Sequence, residues 1–245
     1  MRVTRVHVDL PLVAGTKIEL PEATAKHLVR VLRMGLGDDC IVFNGDGHDY
    51  PAYLIEVGKR VVRVELRAGM VIHNESPLQL ILLQAVARGE KMDLILQKAT
   101  ELGTASLQPL YSQRSEVKLD GDRADKRLAH WRGVVVSACE QCGRAVVPEV
   151  AMPQQLAQSL AALPGGGLRL ILDPEASVSL SGLNVDATQP IWLAVGPEGG
   201  WSPQDIAHLH AAGFKGVRLG PRVLRTETAG LAAISALQVL YGDLS

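Results

Sequence analysis

Aromatic side chains are scarce in this chain: two Phe, three Trp and four Tyr, 4% of 245 residues. A surface on which successive bases stack against rings is therefore not the feature to expect. Excess charge is missing too. Lys and Arg number 25 against 26 Asp and Glu, a formal net charge of −1. No global positive field advertises a nucleic-acid binder, so any such function must rest on local patches. Cysteine is sparse: Cys40, Cys139 and Cys142 cannot make a disulfide framework in a chain this long, which fits a reducing cytoplasm. No apolar run approaches the roughly 18 residues that suggest a membrane span. The N-terminal "MRVTRVHVDLPL" alternates like a strand and lacks the unbroken apolar stretch of a signal peptide. The expectation is a cytoplasmic protein with no membrane partner. The usual nucleotide signatures, GxxxxGK[ST] and GxGxxG after a strand, do not occur.

What is present is enough apolar material, 47%, to bury a core, and a change of texture near residue 75. Before it, "RVTRVHVDL", "DDCIVFNG", "YPAYLIEVG" and "RVVRVELRAG" read as strands bounded by Gly, Asp and Asn. "FNGDGHDY" (43–50) reads as a hairpin loop. One helix is expected at about 21–34, with Leu28, Val31 and Leu32 as its apolar stripe. Residues 1–72 thus suggest a small β-barrel domain and 73–245 a second domain, joined by "HNESP" (73–77).

The second domain alternates strand and helix, which argues a parallel α/β sheet. "LQLILLQAV", "SLQPLYSQ", "LRLILD", "PIWLAV" and "GVRLG" are its strands. Met92, Ile95, Leu96, Ala99 and Leu102 line one face of a helix that ends at Gly103, and residues 123–142 form another. "SPQDIAHLHAAG" is a helix with Ser202 as N-cap and Pro203 at its first position. "TETAGLAAISALQVLYG" is a helix with Thr226 as the expected N-cap.

In such sheets ligands bind outside the carboxyl ends of the strands. Three loops qualify: "LDPEAS", "GPEGGWS" (196–202) and "GPRVLRTET". Gly196, Gly199 and Gly200 let backbone approach a ligand closely, although a tight strand-to-helix turn asks for glycine as well. Glu198 would repel an anion held in a phosphate cradle, so a cationic or neutral polar ligand fits better. In the last loop Arg222 and Arg225 flank Val223 and Leu224, and Glu227 sits where a helix dipole favours an acid.

Local cations are the remaining candidates. Lys26, Arg30 and Arg33 fall at i, i+4, i+7 on one face of the first helix, a pattern also seen on surfaces that are merely wet. Arg114 follows a strand, and Arg144 closes the basic 123–144 region. Cys139 and Cys142 have no further ligands at zinc spacing and lie near the end of a helix, where a redox CxxC would lie at the start. No metal site is expected.

"HLVRVLRMGLGD", "FNGDGHDY", "GEKMDLILQKATELG", "QRSEV", "EQCGR", "GPEGGWS" and "LGPRVLRTETA" occur in this order over nearly the whole chain. In this the sequence resembles the ribosomal RNA small subunit methyltransferase E family of the knotted SPOUT superfamily. Cys142 stands where a small residue such as serine is the family's habit. The resemblance implies a PUA-like β-barrel that docks RNA, then an α/β methyltransferase domain with a C-terminal trefoil knot. It implies a homodimer that transfers methyl from S-adenosylmethionine to N3 of a uridine in the 16S rRNA of the small subunit.

On that footing the cofactor would be held by Leu172, Asp173, Gly196, Glu198, Gly199, Gly200, Leu219, Gly220, Val223 and Leu224. Uracil N3 must lose a proton before it attacks, and the charge then spreads to O2 and O4. Arg225 would stabilise that anion, with Glu198 or Glu227 as proton acceptor. Contacts to RNA would come from Arg5, Lys26, Arg30, Arg33, Lys91, Arg114 and Arg144. Rival readings are a superfamily enzyme for another base or a ribose hydroxyl, a non-catalytic assembly factor, and a phosphate-cradling nucleotide enzyme.

Overall fold

The computed structural model describes residues 3–117 and 121–244. Arg2, where the first strand expectation begins, lies outside them. The chain forms two compact units. The first runs to Glu75 and takes in Val136–Val147; the second comprises Ser76–Val135 and everything from Pro148 onward.

The first unit is built on β1 (Thr4–His7), β2 (Lys17–Glu19), a short helix α1 (Glu22–Lys26), β3 (Asp39–Phe43), β4 (His48–Val57), β5 (Val62–Leu66) and β6 (Met70–Val71). Its sheet runs β1-β3-β4-β5-β2, with β6 on β4. Only the β1–β3 pair is parallel; its neighbours are antiparallel, and a bulge interrupts β4–β5 between Leu54 and Glu56. Alternation drives this arrangement. Val6, Val42, Leu54, Val64 and Leu66 turn inward and bury, as period-2 patterning requires.

The helix expected over 21–34 is not one regular helix. α1 stops at Lys26, and His27–Val31 is a π-helical turn in which the Leu32 N–H donates to the His27 carbonyl at 3.0 Å. Arg33 then adopts φ +57°, which ends any helical continuation. Spacing by 3.6 residues therefore fails here. Leu28 is fully buried, but Val31 is 66% exposed and Leu32 is exposed too. Lys26, Arg30 and Arg33 do not lie along one helical face.

The second unit contains β7 (Leu80–Ala85), α2 (Lys91–Glu101), β8 (Ser106–Tyr111), the first part of α3 (Gly121–Cys142), β9 (Glu149–Val150), β10 (Gln154–Gln155) and α4 (Leu156–Ala161). β11 (Leu168–Leu172), β12 (Ile191–Val195), α5 (Pro203–Ala211), β13 (Lys215–Val217) and α6 (Thr226–Tyr241) follow. The sheet order is β10-β8-β7-β12-β11-β13, with β9 on β8, and every pairing is parallel. Leu82, Leu83, Ile171, Leu193 and Ala194 are wholly buried, as continuous apolar strands covered on both faces should be. Met92, Ile95, Leu96 and Ala99 bury one face of α2. Ser202 caps α5 reciprocally with Asp205, and Pro203 takes the first helical position.

Candidate functional site

Because β12, β11 and β13 are adjacent and parallel, the loops after them leave one edge of the sheet together. They border a cavity of about 730 Å³, within the range typical of small-molecule sites. Leu172 and Asp173 reach it from the loop after β11. Gly196, Glu198, Gly199 and Gly200 come from the loop after β12, and Leu219, Gly220, Val223 and Leu224 from the loop after β13. Val223 stands at the lip, 81% exposed. Asp173 turns one carboxylate oxygen back to the Glu175 N–H at 2.9 Å.

The three glycines of the middle loop are needed for different reasons. A Cβ on Gly196 would lie 3.3 Å from the Trp201 indole, and one on Gly199 would lie 3.3 Å from the Arg114 Cβ. Gly200 instead adopts φ +67°, where a side chain is strained. Close approach at two of these positions is thus to the protein's own side chains. Trp201 also borders the cavity. Sequence reasoning missed it, though a tryptophan inside the glycine loop of an aromatic-poor chain was the available signal. Arg114 is spent on this loop: its guanidinium donates to the carbonyls of Gly199 at 3.0 Å and Trp201 at 3.2 Å.

Thr226 is not the N-cap of α6. Arg225 occupies that position, with no side-chain capping bond, and Thr226 is the first helical residue. Its hydroxyl donates to the Gly196 carbonyl at 2.6 Å and accepts from Gln84 Nε2 at 3.0 Å. Both Thr226 and Gln84 are buried. One hydroxyl therefore joins α6, the loop after β12 and strand β7. The cap expectation failed because the nearby, part-buried Gly196 carbonyl outcompeted the helix's own N–H groups for this side chain.

A fourth loop enters from the end of β7. It brings Lys91, the first residue of α2, to the cavity wall. Lys91 was expected at an RNA surface. Its ammonium lies 3.1 Å from Glu198, in the loop after β12, and 3.9 Å from Glu227, in the first turn of α6. Glu227 itself is not among the residues that line the cavity. Burial opposes ionisation of Glu198, but its own backbone N–H, the Arg88 N–H and Lys91 together hold its carboxyl below the usual range. The Arg88 N–H donates to Glu198 at 3.1 Å, while the Arg88 side chain pairs with Glu116. Glu227 is largely buried, and its Oε2 receives no hydrogen bond. Arg225 also borders the cavity; among the described residues its side chain makes no ion pair.

Two expected RNA contacts are corrected by the first unit. Arg5 is only 9% exposed. It binds Asp49 at 2.5 and 3.1 Å and donates to the carbonyls of Cys139 and Arg144, over the face of Phe43. Arg144, 4% exposed, pairs with Glu75. Both guanidiniums are consumed in tying residues 136–147 to the rest of the unit. Lys26 is exposed and pairs with Glu22, four residues before it. Cys139 is buried, which pushes its thiol up to about 12, far from the reactivity a redox CxxC needs.

Comparison with known proteins assigns both halves. Residues 74–238 match the family described as RNA methyltransferase domain, and residues 20–67 the RNA methyltransferase PUA domain. Ribosomal RNA small subunit methyltransferase E of Buchnera aphidicola (Schizaphis graminum) is 31% identical, with 100% of this chain and 99% of that protein covered. The solved structure of the Neisseria gonorrhoeae protein of that name, bound to S-adenosyl methionine, is 37% identical with TM-score 0.93, each chain covered in full. A Legionella pneumophila protein described as a methyltransferase, in complex with bound cofactor SAM, gives 37% identity and TM-score 0.95 over the full length of both chains. Among the described residues no helix is long and apolar enough to cross a membrane.

Proposed function

The chain belongs to the ribosomal RNA small subunit methyltransferase E family, and from that premise we propose that it methylates N3 of one uridine in 16S rRNA with S-adenosylmethionine as donor. The observation that carries this reading is the cavity closed by loops from three adjacent parallel strands, two of them joined through Thr226 and Gly196. Its chemistry fits the donor. The apolar side chains of Leu172, Val195 and Ile206 offer a wall for a nucleoside, and the carboxylates of Asp173 and Glu198 suit a cation. When bound, S-adenosylmethionine supplies a methyl group on a positively charged sulfur.

The residues then divide the work. Backbone groups of Gly196, Leu219 and Leu224 read the nucleoside edge, and Gly220 lets the last loop turn toward it. Lys91 anchors Glu198, so Glu198 shapes the pocket as a fixed negative charge and is a weak base. Glu227, outside the cavity lining but with a buried oxygen that no donor engages, is the second candidate acceptor for N3–H. Arg225, unpaired beside it in sequence, stabilises the charge that develops on O2 and O4.

The wider reading keeps residues 1–72 as the RNA-docking domain, with Arg30 and Arg33 as its exposed-segment cations. It keeps residues 73–245, less the stretches to Glu75 and Val136–Val147 that belong to the first unit, as a knotted, dimer-forming methyltransferase domain working in the cytoplasm. The placement of β13 beside β11, outside β12, supports a C-terminal chain that doubles back as such a knot requires. The test is to incubate the protein with S-adenosylmethionine and unmodified small subunits, then map methylated nucleosides by mass spectrometry. A single N3-methyluridine is expected. Methyl on another base or on a ribose hydroxyl would overturn the target, and no methylation at all would favour the assembly factor.

A further inference from the structure

The segment from Lys215 to Arg225, "KGVRLGPRVLR", carries four cations and no acid. It includes β13, the edge strand of the sheet, and the loop that follows. Lys215, Arg218, Arg222 and Arg225 are all exposed. Several other exposed cations of this chain have partners: Lys17 has Glu65, Arg63 has Glu19 and Glu56, Arg67 has Asp39, and Arg88 has Glu116. Among the described residues no ion pair engages any side chain from Lys215 to Arg225, although the chain as a whole holds one more acid than base.

Three of these cations, Arg218, Arg222 and Arg225, border the cavity. The donor is a net cation with a single carboxylate, and a uracil anion brings one delocalised charge. Arg225 is already assigned to the second. Asp173, Glu175 and Glu198 border the same cavity, but among the described residues none of them forms an ion pair with Arg218 or Arg222, and Glu198 is held by Lys91, so both guanidiniums are open to an incoming anion. A concentration of unpaired guanidiniums beside a cavity, on a chain with no net positive charge, suits a polyanion that passes over the opening.

We propose that Arg218 and Arg222 form a phosphate-binding lip on the methyltransferase unit that holds the rRNA backbone flanking the target nucleotide. This rests on the functional reading above and goes beyond it. It moves part of the RNA footprint from the first unit, where Arg5 and Arg144 are internally consumed, to the rim of the reaction cavity. Guanidinium forks match phosphate oxygens, and the exposed loop lets each side chain reach outward.

The experiment uses the full-length Arg218→Gln/Arg222→Gln double variant. Binding to a labelled 16S rRNA fragment is titrated from low to physiological KCl, and S-adenosylmethionine affinity is measured in parallel by calorimetry. Removing one arginine–phosphate pairing should reduce the slope of log K against log salt by about 0.7 to 0.9. The expected result is a slope shallower by roughly 1.5 for the pair, with cofactor affinity within about twofold of the parent. An unchanged slope with a cooperative thermal melt overturns the proposal. So does a loss of cofactor affinity with RNA binding intact, which would assign these arginines to the donor's carboxylate. Failure of the parent protein to methylate small subunits would overturn the functional reading alone, because the salt slope reports on the lip whether or not methyl is transferred.

Discussion

The Thr226 hydroxyl donates to the Gly196 carbonyl at 2.6 Å, across 30 residues of sequence. It makes the loop after β12 and the start of α6 a single mechanical unit, and the buried Gln84 amide fixes that unit to β7. Thr226→Val keeps the shape and removes the hydroxyl, leaving the part-buried Gly196 carbonyl and the buried Gln84 amide short of a partner. A stability loss of about 1–3 kcal/mol is expected, with weaker S-adenosylmethionine binding by calorimetry. Thr226→Ser should restore both. Parent-like affinity in the valine variant would show that the loops hold their relation without the bridge.

Glu198 gives the pocket a pH dependence of definite sign. Its folded-state carboxyl lies below the ordinary value of 4.5. The stability it contributes is therefore fully present above about pH 4.5 and is lost as the pH falls through the lower folded value. Glu198→Gln should flatten the acid side of a plot of melting temperature against pH, while the neutral side drops uniformly. If the parent and the glutamine variant lose stability in parallel on acidification, the Arg88 and Lys91 contacts are not what holds the charge.

Arg225 borders the cavity and has no ion-pair partner among the described residues. Arg225→Ala should lower the single-turnover methylation rate by roughly 10²–10³-fold, the usual cost of losing a donor to a developing anion. Cofactor affinity should be nearly intact. Parent-like turnover would exclude the role, and a selective loss of cofactor binding would move Arg225 into the donor site.

In the first unit, Asp49→Ala would strand the buried Arg5 guanidinium without its carboxylate. A cost of about 3–5 kcal/mol is expected for breaking such a pair from one side, read by urea unfolding. Replacing both partners together, Arg5→Met with Asp49→Leu, should cost much less, because no uncompensated charge is left inside. Equal losses in the two variants would mean that the arginine's bonds to Cys139 and Arg144 dominate.

Local signals in the sequence translated well. Ser202 and Asp205 cap α5 within three residues of one another, so chain neighbours alone specify the bond. The continuous apolar run of β7 announced a strand covered on both faces, and that strand is parallel to its neighbours and buried. β9 and β10, two residues each, are too short to carry any periodicity and were not foreseen. The helix over 21–34 went wrong at a single π-helical turn, which shifts every later side chain out of phase.

The sequence by itself determined the strand–helix alternation, the loops at the strand ends and the family, because these rest on residue order and on patterns a few positions long. Tertiary structure alone decided what each polar side chain in those loops does. Arg5 finds Asp49 at 44 residues' distance, Lys91 finds Glu198 at 107, and Thr226 finds Gln84 at 142. A buried charge or hydroxyl must be satisfied by whatever partner the fold brings within about 3 Å. That requirement turned three expected RNA contacts, Arg5, Arg114 and Arg144, into struts, an expected cap into a bridge, and a lysine of α2 into the clamp on Glu198 and Glu227.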